Sequence, residues 1–302
     1  MRSHVARAKH YGSLAARAAT AEVEATARGV PGHRFGRYGR ALGARLIRSG
    51  ARRRGASLVL TPVNSVRYWE FDFVERHLPI GGRAALDVSS PRLLSLYLAE
   101  RRRFERITIA NPDSSDLAAT LDIINTLRLP GIEVVEADAV QATSHVGSVD
   151  ATWSISVVEH IAGDDGDSGA VGAMYAALAP GGTMVITVPV DRTAWDEYRD
   201  HDAYGLAPEE SDQYFFQRYY DDAAVRRRLI DAVGTVPSAV EWFGERARGV
   251  FAAYEKEWMA RGHAATVRDP AFVSKEFRRY PSWSAMPGMG VCGMAFRKQR
   301  DD

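Results

Sequence analysis

Asp87-Val88-Ser89-Ser90-Pro91 closes one short apolar run and opens into another. Such a strand-turn-helix is where α/β proteins place a nucleotide-like ligand. The turn contains no glycine, although glycines ordinarily permit the tight turn and the close approach of backbone to ligand. Ser90 and Pro91 also read as a helix start, with serine as N-cap and proline at the first helical position. Two further polar turns follow apolar runs, Asn111-Pro112-Asp113 and Asp138-Ala139. The plainer readings are an Asx-type turn at Asn111 and a helix cap at Asp138.

His160 and His201 are the imidazoles placed to act as general bases, and each also reads as a structural or exposed histidine. Glu159-His160 invites a metal reading, but no second histidine falls at helical ligand spacing, so no metal is expected. The run Asp164-Asp165-Gly166-Asp167-Ser168 lacks the alternation and distal glutamate of a calcium loop and reads as an acidic turn capping a helix.

The elements that must position these residues follow from periodicity. Strands are expected at 84–89, 107–111, 132–136, 149–157 and 183–188, with helices at 92–102, 116–127 and 169–179 between them. Pro180-Gly181-Gly182 reads as the turn before the fifth strand. Strict alternation predicts a parallel sheet covered on both faces. Residues 191–220 lose the rhythm and read as a long loop or short helices over the strand ends. A helix at 222–233 and closing strands at 236–243 and 291–296 complete the pattern, with an aromatic-rich insert at 246–290. Two units are expected: a helical Arg-rich extension, 1–78, and an α/β domain, 79–302.

The chain of 302 residues is 46% hydrophobic with a net charge of +1, enough to bury one large core. The charge is unevenly spread: residues 1–69 carry 14 Lys/Arg against Glu22 and Glu24, and the remainder is acidic. Phe35, Tyr38, Leu42 and Leu46 recur at helical spacing among arginines, predicting an amphipathic helix packed on the acidic body; an anionic membrane surface or an acidic substrate are the other readings. The single cysteine, Cys292, excludes an intrachain disulfide framework and fits a reducing compartment. No apolar run approaches the ~18 residues of a membrane span, and no apolar secretory signal opens the sequence. The expectation is a cytoplasmic protein.

Taken in order, Leu86-Asp87-Val88-Ser89-Ser90, Glu136-Ala137-Asp138-Ala139, Val149-Asp150-Ala151-Thr152, Val157-Val158-Glu159-His160-Ile161 and Leu178-Ala179-Pro180-Gly181-Gly182 resemble the class I S-adenosylmethionine-dependent methyltransferases. The resemblance covers about residues 80–190 well, extends more weakly to 298, and omits 1–60. It implies a Rossmann-like, seven-stranded, mostly parallel sheet with helices on both faces, here preceded by the helical extension.

It further implies S-adenosylmethionine as cofactor, bound by Asp87, Ser89, Ser90, Asn111, Asp113, Asp138, Ala139 and Ser154. Asp87 would attract the ammonium group, Asn111 and Asp113 would take the ribose, and Asp138 and Ala139 the adenine. Because this cofactor carries no phosphate, the missing glycines matter less than they would for a dinucleotide. A small-molecule acceptor, methylated on oxygen, is expected, with His160 or His201 as base. The alternative is a non-catalytic, methyltransferase-like binding or scaffold protein, with the extension used for association, including a homodimer. A nicotinamide oxidoreductase is disfavoured because its pyrophosphate needs the glycine loop. Nucleic acid is not an expected partner: the chain has four lysines and no stacking aromatics interleave the arginine run.

Overall fold

Short β-branched runs separated by turn residues fold, in the computed structural model, into ten strands among the described residues. Residues 2–205 and 211–300 are described, with side chains from Gly12 onward except at His263. The strands are β1 (Gly82–Val88), β2 (Phe104–Ala110), β3 (Ile132–Val135), β4 (Val149–Ile155), β5 (Leu178–Val190), β6 (Trp195–Arg199), β7 (Tyr214–Tyr219), β8 (Ala239–Glu245), β9 (Phe277–Tyr280) and β10 (Gly290–Arg297). Eight of them form one sheet in the order β3-β2-β1-β4-β5-β10-β8-β9. β1 pairs parallel with β2 and β4, and β4 parallel with β5, whereas β10 is antiparallel to both β5 and β8. This is the expected Rossmann-like, mostly parallel arrangement.

The sheet has eight strands where seven were expected. The additional one, β9, lies in the aromatic-rich insert and pairs antiparallel with β8, Trp242 opposite Tyr280 and Phe243 opposite Arg279. A second difference is the stretch 191–220, where a loop or short helices were anticipated. β6 and β7 form an antiparallel pair there, Trp195 opposite Tyr219, with residues 206–210 outside the description. Their cross-strand aromatic contacts, with Trp195 stacked on Tyr219 at 4.3 Å, stabilise the pair without the period-2 alternation that a half-buried strand shows. Pro180-Gly181-Gly182 is not a turn before β5 but a bulge within it: register shifts between Val149 and Ala151, and Gly181 takes a φ of 80°.

Alternate residues of each strand feed opposite cores. Ala85, Trp153, Ile155 and Val185 face one, while Leu86, Val88, Met184 and Ile186 face the other. The first core is shared with α1 (Arg2–Arg28), α2 (His33–Arg48), α4 (Arg67–His77), α5 (Leu93–Glu100) and α6 (Ser114–Leu127); α3 (Arg52–Leu60) packs on α2. The second takes α7 (Ala139–Val146), α8 (Gly166–Ala176) and the helical run α9 (Asp222–Ala224), a π-helical segment (Val225–Ile230) and α10 (Asp231–Val233). α11 (Val250–Arg261), α12 (His263–Thr266) and α13 (Asp269–Glu276) fill the insert. No helix among the described residues is long and apolar enough to cross a membrane.

The helices of the extension are built into the sheet domain. Phe35, Leu42, Leu46, Tyr68, Trp69, Phe71 and Phe73 are all at most 1% exposed and belong to the first core. Each such side chain is worth about 1.5–3 kcal/mol of burial. Ion pairs between the extension and the rest, among them Arg45 to Glu100 at 2.5 Å, Arg76 to Glu241 at 2.8 Å, Lys275 to Glu24 at 2.8 Å and Arg54 to Asp122, lie near the surface and are worth roughly 0–1 kcal/mol each. Apolar packing therefore dominates the attachment, and the charge asymmetry read from the sequence is secondary. Asp269 of α13 is wholly buried and accepts from Ser65 N–H at 2.7 Å and Tyr254 OH at 2.6 Å, tying the insert to the extension.

Candidate functional site

A cleft of ≈1290 Å³ opens at the carboxyl ends of β1, β2 and β4, the edge on which open α/β sheets bind ligands. Three turns and a short 3-10 turn (Val158–His160) form its floor: Val88 to Leu93, Asn111 to Asp113, Asp138 to Val140, and Ser156 to Ala162. The opposite wall comes from the extension, through Leu42, Leu58, Val63, Arg67 and Phe71. Tyr204, Tyr214 and Phe215 border the opening.

Ser89 adopts the left-handed conformation, φ 55°, that glycine would take freely. Its N–H and its hydroxyl both donate to the carbonyl of Ala110, at 2.7 and 2.9 Å, which holds the serine there and keeps its hydroxyl tied to β2. Ser90 is not the N-cap of α5, whose first residue is Leu93; its hydroxyl instead accepts from Ile155 N–H at 2.9 Å and locks the turn to β4. Its own N–H donates to Asp87 at 3.1 Å.

Asp87 and Ser154 stand behind this turn and do not line the cleft. Asp87 is fully buried and also accepts from the Ser95 hydroxyl. Burial pushes its carboxyl up to about 6, and the bonds from Ser95 and Ser90 pull the other way. Ser154 is likewise fully buried and donates to the carbonyl of Val88 at 3.2 Å. Both residues shape the turn from beneath.

Asn111, Asp113, Asp138 and Ala139 all line the cleft. Asn111 accepts from Asp113 N–H at 2.9 Å and donates to Asp116 at 3.2 Å. Asp113 caps α6 by accepting from the N–H groups of Ser115 and Asp116, and Asp138 caps α7 by accepting from Gln141 N–H at 2.8 Å. Each cap uses one carboxylate oxygen, Oδ1. The turn and cap readings hold for these side chains, and the caps leave Oδ2 of Asp113 and of Asp138 uninvolved. Arg92, at the start of α5, pairs with Asp116.

The two histidines part company. His160 lines the cleft and donates from Nδ1 to the carbonyl of Phe216 at 2.7 Å, which leaves Nε2 with the lone pair. Burial pushes its pKa down to about 4; the Phe216 bond opposes this, and the charges of Arg67 and Arg199 add to it. The hydroxyl of Tyr204 lies 3.3 Å from Nδ1 and 3.5 Å from Nε2. His201 has a side chain 65% exposed, pairs with Asp200 at 2.7 Å and is not part of the cleft lining.

One polar group was missed from the sequence. Glu70 of α4 is fully buried and accepts from Arg67 at 3.0 and 3.2 Å, from the Ser156 hydroxyl at 2.5 Å and from the Thr187 hydroxyl at 2.7 Å. A buried carboxylate persists when this well supplied with donors. The group joins α4 to the ends of β4 and β5 and turns Arg67 into the cleft. Its signal was a glutamate set among Tyr68, Trp69, Phe71 and Phe73, an acid within an apolar run.

No family model matches the chain, and no curated protein matches it. Solved structures similar to it include the cyclase SpnF, at 17% identity over 76% of this chain and 80% of that one, with a TM-score of 0.46. Coclaurine N-methyltransferase, bound to N-methylheliamine and SAH, is 13% identical over 76% of this chain and 72% of its own, with a TM-score of 0.48. The 1,6-didemethyltoxoflavin-N1-methyltransferase of Burkholderia thailandensis is 14% identical over 76% of each chain, with a TM-score of 0.46. The fold assignment rests on the strand order given above.

Proposed function

We propose that this protein is a class I S-adenosylmethionine-dependent methyltransferase acting on an oxygen of a small-molecule acceptor. The supporting observation is the convergence in one cleft of the left-handed Ser89 turn, Asn111 with Asp113, Asp138 with Ala139, and a neutral His160. The residues fit the cofactor. Tying the Ser89 hydroxyl back to Ala110 leaves the turn's wall open to a carboxylate, Asn111 and Asp113 offer acceptors to a ribose, and the second oxygen of Asp138 offers one to an amino group. In this reading Asp87 and Ser154 hold the turn and make no contact with ligand.

When bound, the cofactor supplies an electrophilic methyl group on a sulfonium. The protein's own task is alignment plus removal of one proton. His160 would take that proton from the acceptor hydroxyl on Nε2, the nitrogen left free by the bond from Nδ1 to Phe216. A base this weak suffices because an oxygen being alkylated becomes far more acidic than the free hydroxyl. We give the role to His160 alone, since His201 is exposed and outside the cleft.

Calorimetric titration with S-adenosylmethionine tests the reading, with Asp138→Ser as the informative variant. Serine keeps the cap of α7 but removes the second oxygen, so stability should change by under about 0.5 kcal/mol while affinity falls roughly tenfold. No heat at millimolar cofactor for the native protein would instead favour the scaffold reading.

A further inference from the structure

We propose that the acceptor carries a carboxylate, and that Arg67 binds it. This rests on the methyltransferase reading and names the substrate class for the same cleft. The guanidinium of Arg67 is anchored by one nitrogen alone: Nη1 donates to both oxygens of Glu70 and to the carbonyl of Ile155 at 3.3 Å. Nε and Nη2 have no hydrogen-bond partner among the described residues, although the side chain is 25% exposed and borders the cleft. Those two N–H groups lie on one edge of a planar fork, the edge that matches a carboxylate bidentately.

The anchor is built to hold that edge still. Glu70 is itself fixed by Ser156 and Thr187, from the ends of β4 and β5, so the fork is referenced to the sheet and not to a loop. Ser156 sits in the left-handed region, φ 45°, to present its hydroxyl. Glu70 already neutralises one positive charge, so selectivity comes from the geometry of the fork more than from net potential.

Around Arg67 the wall presents the apolar side chains Leu42, Leu58, Val63 and Phe71, continued by Leu93 and Leu96 of α5, beside the polar Arg54, Ser57 and Asn64. Arg67 is close enough to His160 for its charge to depress the imidazole pKa. The ligand these surfaces describe is a hydroxy acid with an apolar or aromatic body: carboxylate on Arg67, hydroxyl at His160 Nε2, body against the extension.

The test uses matched acid and amide probes on the full-length protein. 4-Hydroxycinnamate and octanoate are titrated by calorimetry beside 4-hydroxycinnamamide and octanamide, with S-adenosylhomocysteine present and its own binding measured first. At least one acid should bind roughly tenfold more tightly than its amide, the worth of a charge-assisted pair. Arg67→Lys, which keeps a charge beside Glu70 but loses the fork, should abolish the preference while S-adenosylhomocysteine binding is unchanged. Equal binding of acids and amides, absence of binding by both acids, or an undiminished preference in Arg67→Lys would each overturn the proposal. Failure of S-adenosylhomocysteine to bind at all counts instead against the methyltransferase reading, and the acid preference is then read in its absence.

Discussion

His160 and Phe216 are joined by a 2.7 Å hydrogen bond in which the imidazole Nδ1 donates to the backbone carbonyl. The bond fixes the tautomer and leaves Nε2 as the lone-pair nitrogen, while burial keeps the ring neutral. It also ties β7 to the turn after β4.

The first prediction concerns that neutrality. The folded pKa of about 4 lies below the ordinary 6.5, so between those values the unfolded chain binds a proton that the folded chain refuses. Stability therefore falls as pH falls from about 6.5 to 4, by up to about 3 kcal/mol from this residue. His160→Gln should remove that loss in urea unfolding and, in a methyl-transfer assay, reduce the rate by about 100-fold. An NMR titration that puts the imidazole above 6 would contradict the depression by burial on which this pH dependence rests.

Asp87 is expected to act in the opposite direction. Its folded pKa, about 6, lies above the ordinary 3.8, so its contribution is most favourable below about pH 4 and is lost as pH rises to about 6. Asp87→Asn keeps an acceptor for Ser90 N–H but cannot ionise; relative to the native protein it should gain up to about 3 kcal/mol on going from pH 4 to pH 7. Because Asp87 stands behind the turn, cofactor affinity should change less than about threefold, a difference under 1 kcal/mol. A hundredfold loss would place the carboxylate in contact with ligand.

A third prediction addresses the wall supplied by the extension. A Cβ at Gly43 of α2 would fall 2.6 Å from the carbonyl oxygen of Gly55 and 2.9 Å from Val59 N, both rigid backbone of α3. Gly43→Ala should therefore destabilise by about 1–3 kcal/mol, despite the helix propensity it gains. It should also weaken acceptor binding, because α3 carries Arg54, Ser57 and Leu58 of the cleft. Gly169→Ala, in α8 with nothing within 4 Å, is the control and should leave Tm equal or higher. A normal Tm for Gly43→Ala would mean the two helices separate readily.

Much of this was legible in the chain, and what was illegible has identifiable causes. The alternation of β-branched runs with helical patterns gave β1 to β4 to within a few residues and the inner part of β5, because the carboxyl-terminal halves of β1, β2, β4 and β5 are buried on both faces. Sequence reading failed at β6, β7 and β9, which are edge or paired ribbons stabilised by cross-strand aromatics and carry no core-facing period. At the site, the polar turns after β1, β2 and β3 were visible as turn chemistry, since a cap or Asx turn is a local event.

The amino-acid sequence by itself determined the class of fold, the positions of the polar turns that line the cleft and the amphipathic helix at Phe35 to Leu46, all properties of residues near one another in the chain. Tertiary structure alone decided which of those residues face the cleft. It put Asp87 behind the turn, kept His160 and left His201 outside, and it brought Arg67 and Glu70 from the extension onto Ser156 and Thr187, 86 and 117 positions after Glu70. The physical reason is burial: whether a carboxylate or imidazole meets ligand, solvent or another side chain depends on packing between elements, which no local spacing encodes.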